Sequence, residues 1–322
     1  MEENLPRSRR HLPLVWGGMF LSDGGMETVL TFQEGIELPH FASFVLLSSA
    51  EGRRRLLRYY TRYLEIAKRH GTGFVLDTAT WRASADWGEK LGYDAQALRK
   101  VNQDAVYLLT GLRAEYERPQ APVVLNGVIG PRGDGYQAGR MTAREAEDYH
   151  SAQVATFAAS EADMITAVTM TNIEEAVGIA QAARGRDMPC AVSFTVETDG
   201  RLVTGRSLQH AIEAVDAETG GYPLYYMINC AHPSHFDNVL EQQSGWVRRI
   251  GGIRANASAK SHAELDESET LDVGDMHDLA GHYCSLRGRL PQLRVLGGCC
   301  GTDHRHIAAI CEACLPPPAL SA

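Results

Sequence analysis

Residues 21–30 read LSDGGMETVL. A short apolar run, residues 19–22, ends there on Asp23-Gly24-Gly25, and a stretch of mixed polarity follows. Two layouts of alternating strands and helices compete for such a chain. A doubly wound sheet carries a G-x-G-x-x-G phosphate loop after its first strand. Asp23-Gly24-Gly25-Met26 lacks that spacing. The other layout is a single α/β domain, a (β/α)8 TIM barrel, whose chemistry sits at the C-terminal ends of its strands.

Seven further apolar, β-rich runs follow, at residues 73–77, 122–126, 163–168, 190–195, 224–229, 250–255 and 293–297. Between them apolar residues recur at helical spacing. The stretch 53–70 lines up Leu56, Leu57, Tyr60, Leu64 and Ala67 on one face, and 142–159 opens with Thr142 and Glu145, a capping box. Residues 174–184, 207–219 and 275–290 read as further helices. Eight strands, each followed by a helix or a long connection, are what the barrel requires. The chemically unusual residues then fall at strand ends. Asp77-Thr78 closes the second, with Trp81 just beyond, and Asn126-Gly127 closes the third. Asn229-Cys230 closes the sixth, Asn256 the seventh, and Gly297-Gly298-Cys299-Cys300-Gly301 the eighth.

The 322 residues suit one barrel with long connections. The expected division is an N-terminal extension at 1–16, the barrel at 17–315 and a frayed tail at 316–322. A 44% hydrophobic and 22% charged composition is that of a globular protein. With 31 Lys+Arg against 40 Asp+Glu the formal charge is −9, and no basic run is present, which weighs against nucleic-acid or anionic-membrane partners. No stretch approaches the roughly 18–20 apolar residues of a membrane span. No signal-peptide core opens the chain, so a cytoplasmic location is expected. Seven cysteines, an odd count, argue against a disulfide framework and for a reducing compartment.

Cys230, Cys299 and Cys300 stand at two strand ends and can converge above a barrel. Adjacent side chains on a regular strand point to opposite faces, so the backbone must turn between Cys299 and Cys300, and Gly297, Gly298 and Gly301 offer that freedom. Three thiolates with an open fourth position are the donor set of a catalytic zinc. Zn²⁺ with three thiolates carries a formal −1. That makes it a weak activator of water, yet it still binds a fourth thiol in deprotonated form. Alkyl transfer to sulfur is the chemistry this favours. Cys190, inside a strand, and Cys284, inside a helix, read as core, and Cys311 and Cys314 as helix packing.

These residues resemble the zinc-dependent homocysteine S-methyltransferase family, which includes the betaine–homocysteine and S-methylmethionine–homocysteine enzymes. LSDGGMETVL (21–30) is similar to the family's first-strand D-G-G motif, MINCAHPSHF (227–236) to its N-C-x-x-P segment, and VLGGCCGTDHRHI (295–307) to its G-G-C-C signature. The resemblance implies a (β/α)8 barrel. It implies Zn²⁺ held by Cys230, Cys299 and Cys300, a small-molecule thiol acceptor, and a sulfonium or quaternary ammonium methyl donor. It makes homocysteine, giving methionine, the expected acceptor. It also implies that Asp23 helps hold the amino acid, with Gly24 and Gly25 approaching it closely, and that Thr78, Asn229 and Gly298 line the site.

Two departures matter. Family members usually carry a Glu at the end of strand four, and an ungapped alignment puts Val168 there. Either Glu27 or Glu197 replaces it, or the acceptor is another small thiol. Trp81 is the foremost aromatic candidate for a methylated cation, with Phe41, Phe44, Trp87 and Tyr93 nearby. Arg82, however, stands where the betaine enzymes carry a Tyr. His232, His235, His304 and His306 read as polar residues of following helices or as neighbours of the site. Asn256 and Ser258 are candidates to line it, Asp303 reads as a helix N-terminal residue, and Lys260 and His262 as exposed. Folate and cobalamin modules are not expected in these 322 residues. Rival readings are a non-catalytic zinc- or thiol-binding barrel, and a redox enzyme using Cys299-Cys300, whose adjacency disfavours a disulfide. Monomer and homo-oligomer are both open.

Overall fold

In the computed structural model, residues 9, 11–241, 244–268 and 270–315 are described. The expected tail at 316–322 and most of the expected N-terminal extension (1–8 and 10) lie outside the described residues. Eight parallel strands close into a barrel in chain order, β8 pairing back onto β1. They are β1 (Phe20–Leu21), β2 (Gly73–Asp77), β3 (Val123–Ile129), β4 (Met164–Met170), β5 (Cys190–Phe194), β6 (Tyr226–Asn229), β7 (Ile250–Ala255) and β8 (Val295–Gly298).

The main outer helices are α1 (Ala50–His70), α2 (Ala95–Tyr116), α3 (Ala143–Ala158), α4 (Ile173–Arg184), α5 (Leu208–Thr219), α6 (Met276–Arg289) and α7 (His304–Cys314). Their starts are set by side-chain caps, which satisfy backbone N–H groups that no helical carbonyl reaches. Ser49 accepts from Gly52 N at 2.9 Å, Asn172 caps α4, and Thr142 with Glu145 forms the expected capping box of α3. α2 is not among the expected helices. Its buried stripe of Leu98, Val101, Ala105, Leu109 and Leu112 is interrupted by polar Asn102, whose Nδ2 donates to Ala83 O and Leu98 O. Between β6 and β7 the described residues hold only short turns, such as Pro233–Phe236 and Val247–Arg249. No described helix is long and apolar enough to cross a membrane.

The two-residue alternation of strands layers the barrel interior. Phe20, Val75, Val124, Met164, Ala191, Met227 and Val295 form one apolar cluster, joined by Leu12 and Leu14 from the N-terminal segment. Two residues further along their strands come Asp77, Asn126, Thr166, Ser193 and Asn229, all buried and all polar. The barrel is therefore oily at the start of its strands and polar toward their C-terminal ends. β3 and β4 both run past their expected ends. Asn126 consequently sits inside the barrel, donating to Asp77 Oδ1 at 2.7 Å and accepting from Thr166 at 3.0 Å. The β4 pairing shifts between Ala167 and Met170, where Thr169 has φ 64°. That bulge leaves Val168 half-buried.

Candidate metal and substrate site

Above the polar layer opens a cavity of about 450 Å³. It is lined from β1 by Asp23, Gly24, Gly25 and Glu27, and from the β2 loop by Thr78, Trp81 and Arg82. β4 contributes Val168, β6 Asn229 and Cys230, β7 Arg254, and β8 Cys299 and Cys300. These ends converge because a closed parallel barrel delivers every strand C-terminus to one face. Of the residues expected here from sequence, Gly298 and Asn256 are not on that wall, while Ser258 is. Gly298 stays within β8 and carries the carbonyl that accepts from Arg254 Nε at 3.1 Å.

The sulfurs of Cys230, Cys299 and Cys300 all lie within 4.8 Å of one another. Cys230 and Cys299 are joined as a disulfide, their Cα atoms 5.3 Å apart, and Cys300 is a free thiol. Thiols close enough to share an ion are also close enough to bond, and one such pair is no disulfide framework. The turn between Cys299 and Cys300 draws on Gly301, at φ 79°, whereas Gly297 and Gly298 remain in the strand. Gly25 is required for a different reason: a Cβ there would sit 2.4 Å from the Cys299 carbonyl oxygen.

Cys230 itself adopts φ 54°, a conformation costly for a residue with a Cβ. Its carbonyl is pinned by Asn256 Nδ2 at 3.0 Å and by the His262 ring at 2.5 Å. His262 is buried rather than exposed as expected. Its other nitrogen meets Glu197 at 3.2 Å and its ring packs at a tilt against Tyr136, centroids 4.4 Å apart. The Tyr136 hydroxyl lies 3.6 Å from Cys300 Sγ. Burial pushes the Cys300 thiol up, and the nearby Glu27 charge adds to this against the pull of Tyr136. A divalent cation reverses that balance, since a coordinated thiol is deprotonated outright. The three sulfurs thus fit a soft divalent metal such as zinc by donor type, number and convergence.

Arg254, which the sequence reading did not single out, is the other organiser. Its guanidinium bridges the carboxylates of Asp23 and Asp77. Asp23 also accepts from the Tyr59 hydroxyl at 3.0 Å. Burial pushes Asp23 up to about 7, with Arg254 pulling the other way. For Arg254, burial works against the charge, but the two carboxylates outweigh it and hold its pKa above the usual arginine range. The available signal was a lone cation between small residues in IGGIRANAS (250–258). Its partners are distant in sequence, and nothing local reveals them.

Several expected substrate groups have other partners. The Thr78 hydroxyl accepts from Val128 N and bonds Thr80. Asn229 accepts from Ser193 at 2.5 Å and donates to Thr169 at 2.8 Å. Glu27 lines the cavity and takes a 2.7 Å bond from Ser43, and burial pushes its pKa up. Glu197 does not line it. Among the aromatics, Trp81, Phe41 and, unanticipated, Phe32 and Tyr136 reach the cavity. Phe44 and Tyr93 pack on each other at 5.1 Å instead. His232, His235, His304 and His306 do not line it, Asp303 caps α7 as expected, and Cys284, expected in the core, is exposed.

A profile of the homocysteine S-methyltransferase family matches residues 20–314. The chain belongs to this family and is a methyltransferase. It is 23% identical over 320 residues to betaine–homocysteine S-methyltransferase 1 of Bos taurus, covering 93% of this chain and 73% of that one. It is 24% identical over 331 residues to the Rattus norvegicus enzyme of the same name, covering 94% and 75%. The homocysteine methyltransferase MmuM of Escherichia coli shares the fold. Its metallated form superposes with TM-score 0.71 at 19% identity (94% of this chain, 99% of that one), and its oxidized form with 0.70 at 21% (91% and 94%).

Proposed function

We propose that the protein moves a methyl group from a sulfonium or quaternary ammonium donor to a small thiol held at a zinc ion by Cys230, Cys299 and Cys300. The observation that carries this reading is the convergence of three sulfurs from two strand ends on one cavity wall. Three thiolates with room for a fourth ligand suit a catalytic rather than a closed structural zinc. When bound, zinc supplies a place where a thiol releases its proton to solvent at neutral pH. Zinc takes the three sulfurs as thiolates, so the enzyme works in its reduced form.

In the reaction, the acceptor sulfur forms a bond to the donor methyl carbon. The bond from that carbon to the donor sulfur or nitrogen breaks, and its electron pair stays with the donor. A thiolate and a cation become two neutral groups. Asp134 and Asp266 on the cavity wall draw the cationic donor in. Phe32 and Phe41 put apolar surface on the same wall.

The acceptor is homocysteine, its ammonium held by Glu27, because Val168 offers no charge and Glu197 stands outside the cavity. A second reading, a thiol without an ammonium, is favoured by the apolar surface of Val168. Onium donors assayed against thiol acceptors, with reduced, zinc-loaded enzyme and product mass as readout, test the activity. Methionine is the expected product, and no methyl transfer with any pair contradicts it. Within that assay, Glu27→Gln should raise the homocysteine KM roughly tenfold or more, the worth of a charge-assisted hydrogen bond. The KM of the desamino analogue 4-sulfanylbutanoate should not move. An unchanged homocysteine KM removes Glu27 from this role, and a wild-type preference for the desamino thiol establishes the second reading.

A further inference from the structure

A second group of metal-ligand side chains lies outside the cavity. His232, Asp278 and His282 each offer a ligand atom, and the three atoms lie within 4.8 Å of one another. None of these residues lines the cavity. His232 comes from the turn after β6, while Asp278 and His282 stand on α6. A spacing of four residues puts those two on one helix face. The His232 and His282 rings meet edge to face, centroids 5.3 Å apart. His282 Nε2 stands 3.7 Å from Asp278 Oδ2, too far for a hydrogen bond. That separation is close to the roughly 3.3 Å between two ligands of one tetrahedral zinc at 2.0–2.1 Å.

A pair within one helix accounts for Asp278 beside His282. It does not account for a third group delivered by another element. His232 is buried. Its Nδ1 meets the Ser234 hydroxyl at 2.8 Å, with Ser234 N at 3.3 Å. With the Nδ1 proton given to that hydroxyl, Nε2 carries the lone pair, which is how metal-bound histidines are usually held. Among the described residues, neither His232 Nε2 nor either nitrogen of His282 makes a hydrogen bond. His235, whose ring lies 6.1 Å from that of His232, is committed to the Ala259 carbonyl at 2.8 Å.

We propose that His232, Asp278 and His282 form a second divalent-metal site, for zinc or a cation of its class, with water completing the shell. Two imidazoles and a carboxylate are donors suited to that class. This does not depend on the methyl-transfer reading. The Asp278 side chain is 67% exposed, so the site is weaker than three converging thiolates. It fills second and empties on desalting, which leaves the sulfur-bound ion in place. When filled, it ties the turn that follows Cys230 to α6. The Tyr283 hydroxyl of α6 already accepts from Ala255 N at 2.8 Å and donates to the Gly297 carbonyl at 2.5 Å. The ion therefore staples the end of β6 to those of β7 and β8 from outside the cavity.

The test uses the protein with its Cys230–Cys299 disulfide closed, so that the three-sulfur site cannot form. Calorimetric titration with Zn²⁺ should show one saturable ion per chain, and the unfolding midpoint should rise with zinc concentration. His282→Ala should abolish both effects. Asp278→Asn should weaken binding roughly tenfold or more, and so should Ser234→Ala, which removes the support of His232 rather than a ligand. Circular dichroism without metal should be the same in all three variants as in wild type. No saturable uptake by wild type, or unaltered affinity in His282→Ala or Asp278→Asn, would overturn the site.

Discussion

Cys300→Ser is expected to strip the protein of zinc at ordinary buffer concentrations and of methyl transfer with it. Four-ligand zinc sites are held by roughly 10–16 kcal/mol at neutral pH. Divided evenly, one ligand contributes about 2.5–4 kcal/mol, or roughly two to three powers of ten in affinity. Cys300 is the informative position because it lies outside the Cys230–Cys299 disulfide. A protein working by thiol–disulfide exchange through that pair would tolerate the change. A three-thiolate metal centre would not. Elemental analysis and a turnover assay on folded, reduced variant decide between them, and full zinc with full activity would sink the three-thiolate site.

Arg254→Met should have the largest effect on stability. The guanidinium is the shared counter-charge of Asp23 and Asp77, which are 2% and 6% exposed. Removing one partner of a buried ion pair typically costs about 3–5 kcal/mol, because the remaining charge is left without water or counter-ion. Asp23, pushed up to about 7 even beside Arg254, takes up a proton once that counter-charge is gone, so the cost falls mainly on Asp77 and the lower part of that range applies. Denaturant unfolding at neutral pH should show it. The loss should shrink as pH falls, since protonation removes the uncompensated charges from the variant. A stability within about 1 kcal/mol of wild type would mean that the triad does not organise the barrel mouth. Asp23→Asn/Arg254→Met/Asp77→Asn, which discharges all three, should recover much of the loss.

The barrel was legible because its signals are local. Apolar runs of strand length, the capping pair Thr142 and Glu145, and glycine-rich strand ends are each read within a few residues. The three sulfurs were legible for another reason: adjacent cysteines beside glycines are uncommon, and the strand order brings Cys230 to the same face. What could not be read was long-range pairing. Arg254 reaches Asp23 across 231 positions, and His262 reaches the carbonyl of Cys230 across 32. Each looks like an ordinary surface residue until the chain closes. Asn126 was misplaced by the length of β3, and Trp81 was read as a free aromatic face because the stacking of its neighbour Arg82 on its ring depends on rotamers. The disulfide was missed because cysteine counting tests for a framework of pairs, and this pair arises from convergence at one site.

The most direct test of the central claim is the sulfur count at the metal, read by X-ray absorption at the zinc edge on reduced enzyme before and after homocysteine is added. Three sulfur scatterers at about 2.3 Å, rising to four with the thiol bound, are the result expected of a three-cysteine site with an open position. A count that stays the same on adding homocysteine, or a first shell dominated by nitrogen and oxygen, would contradict it.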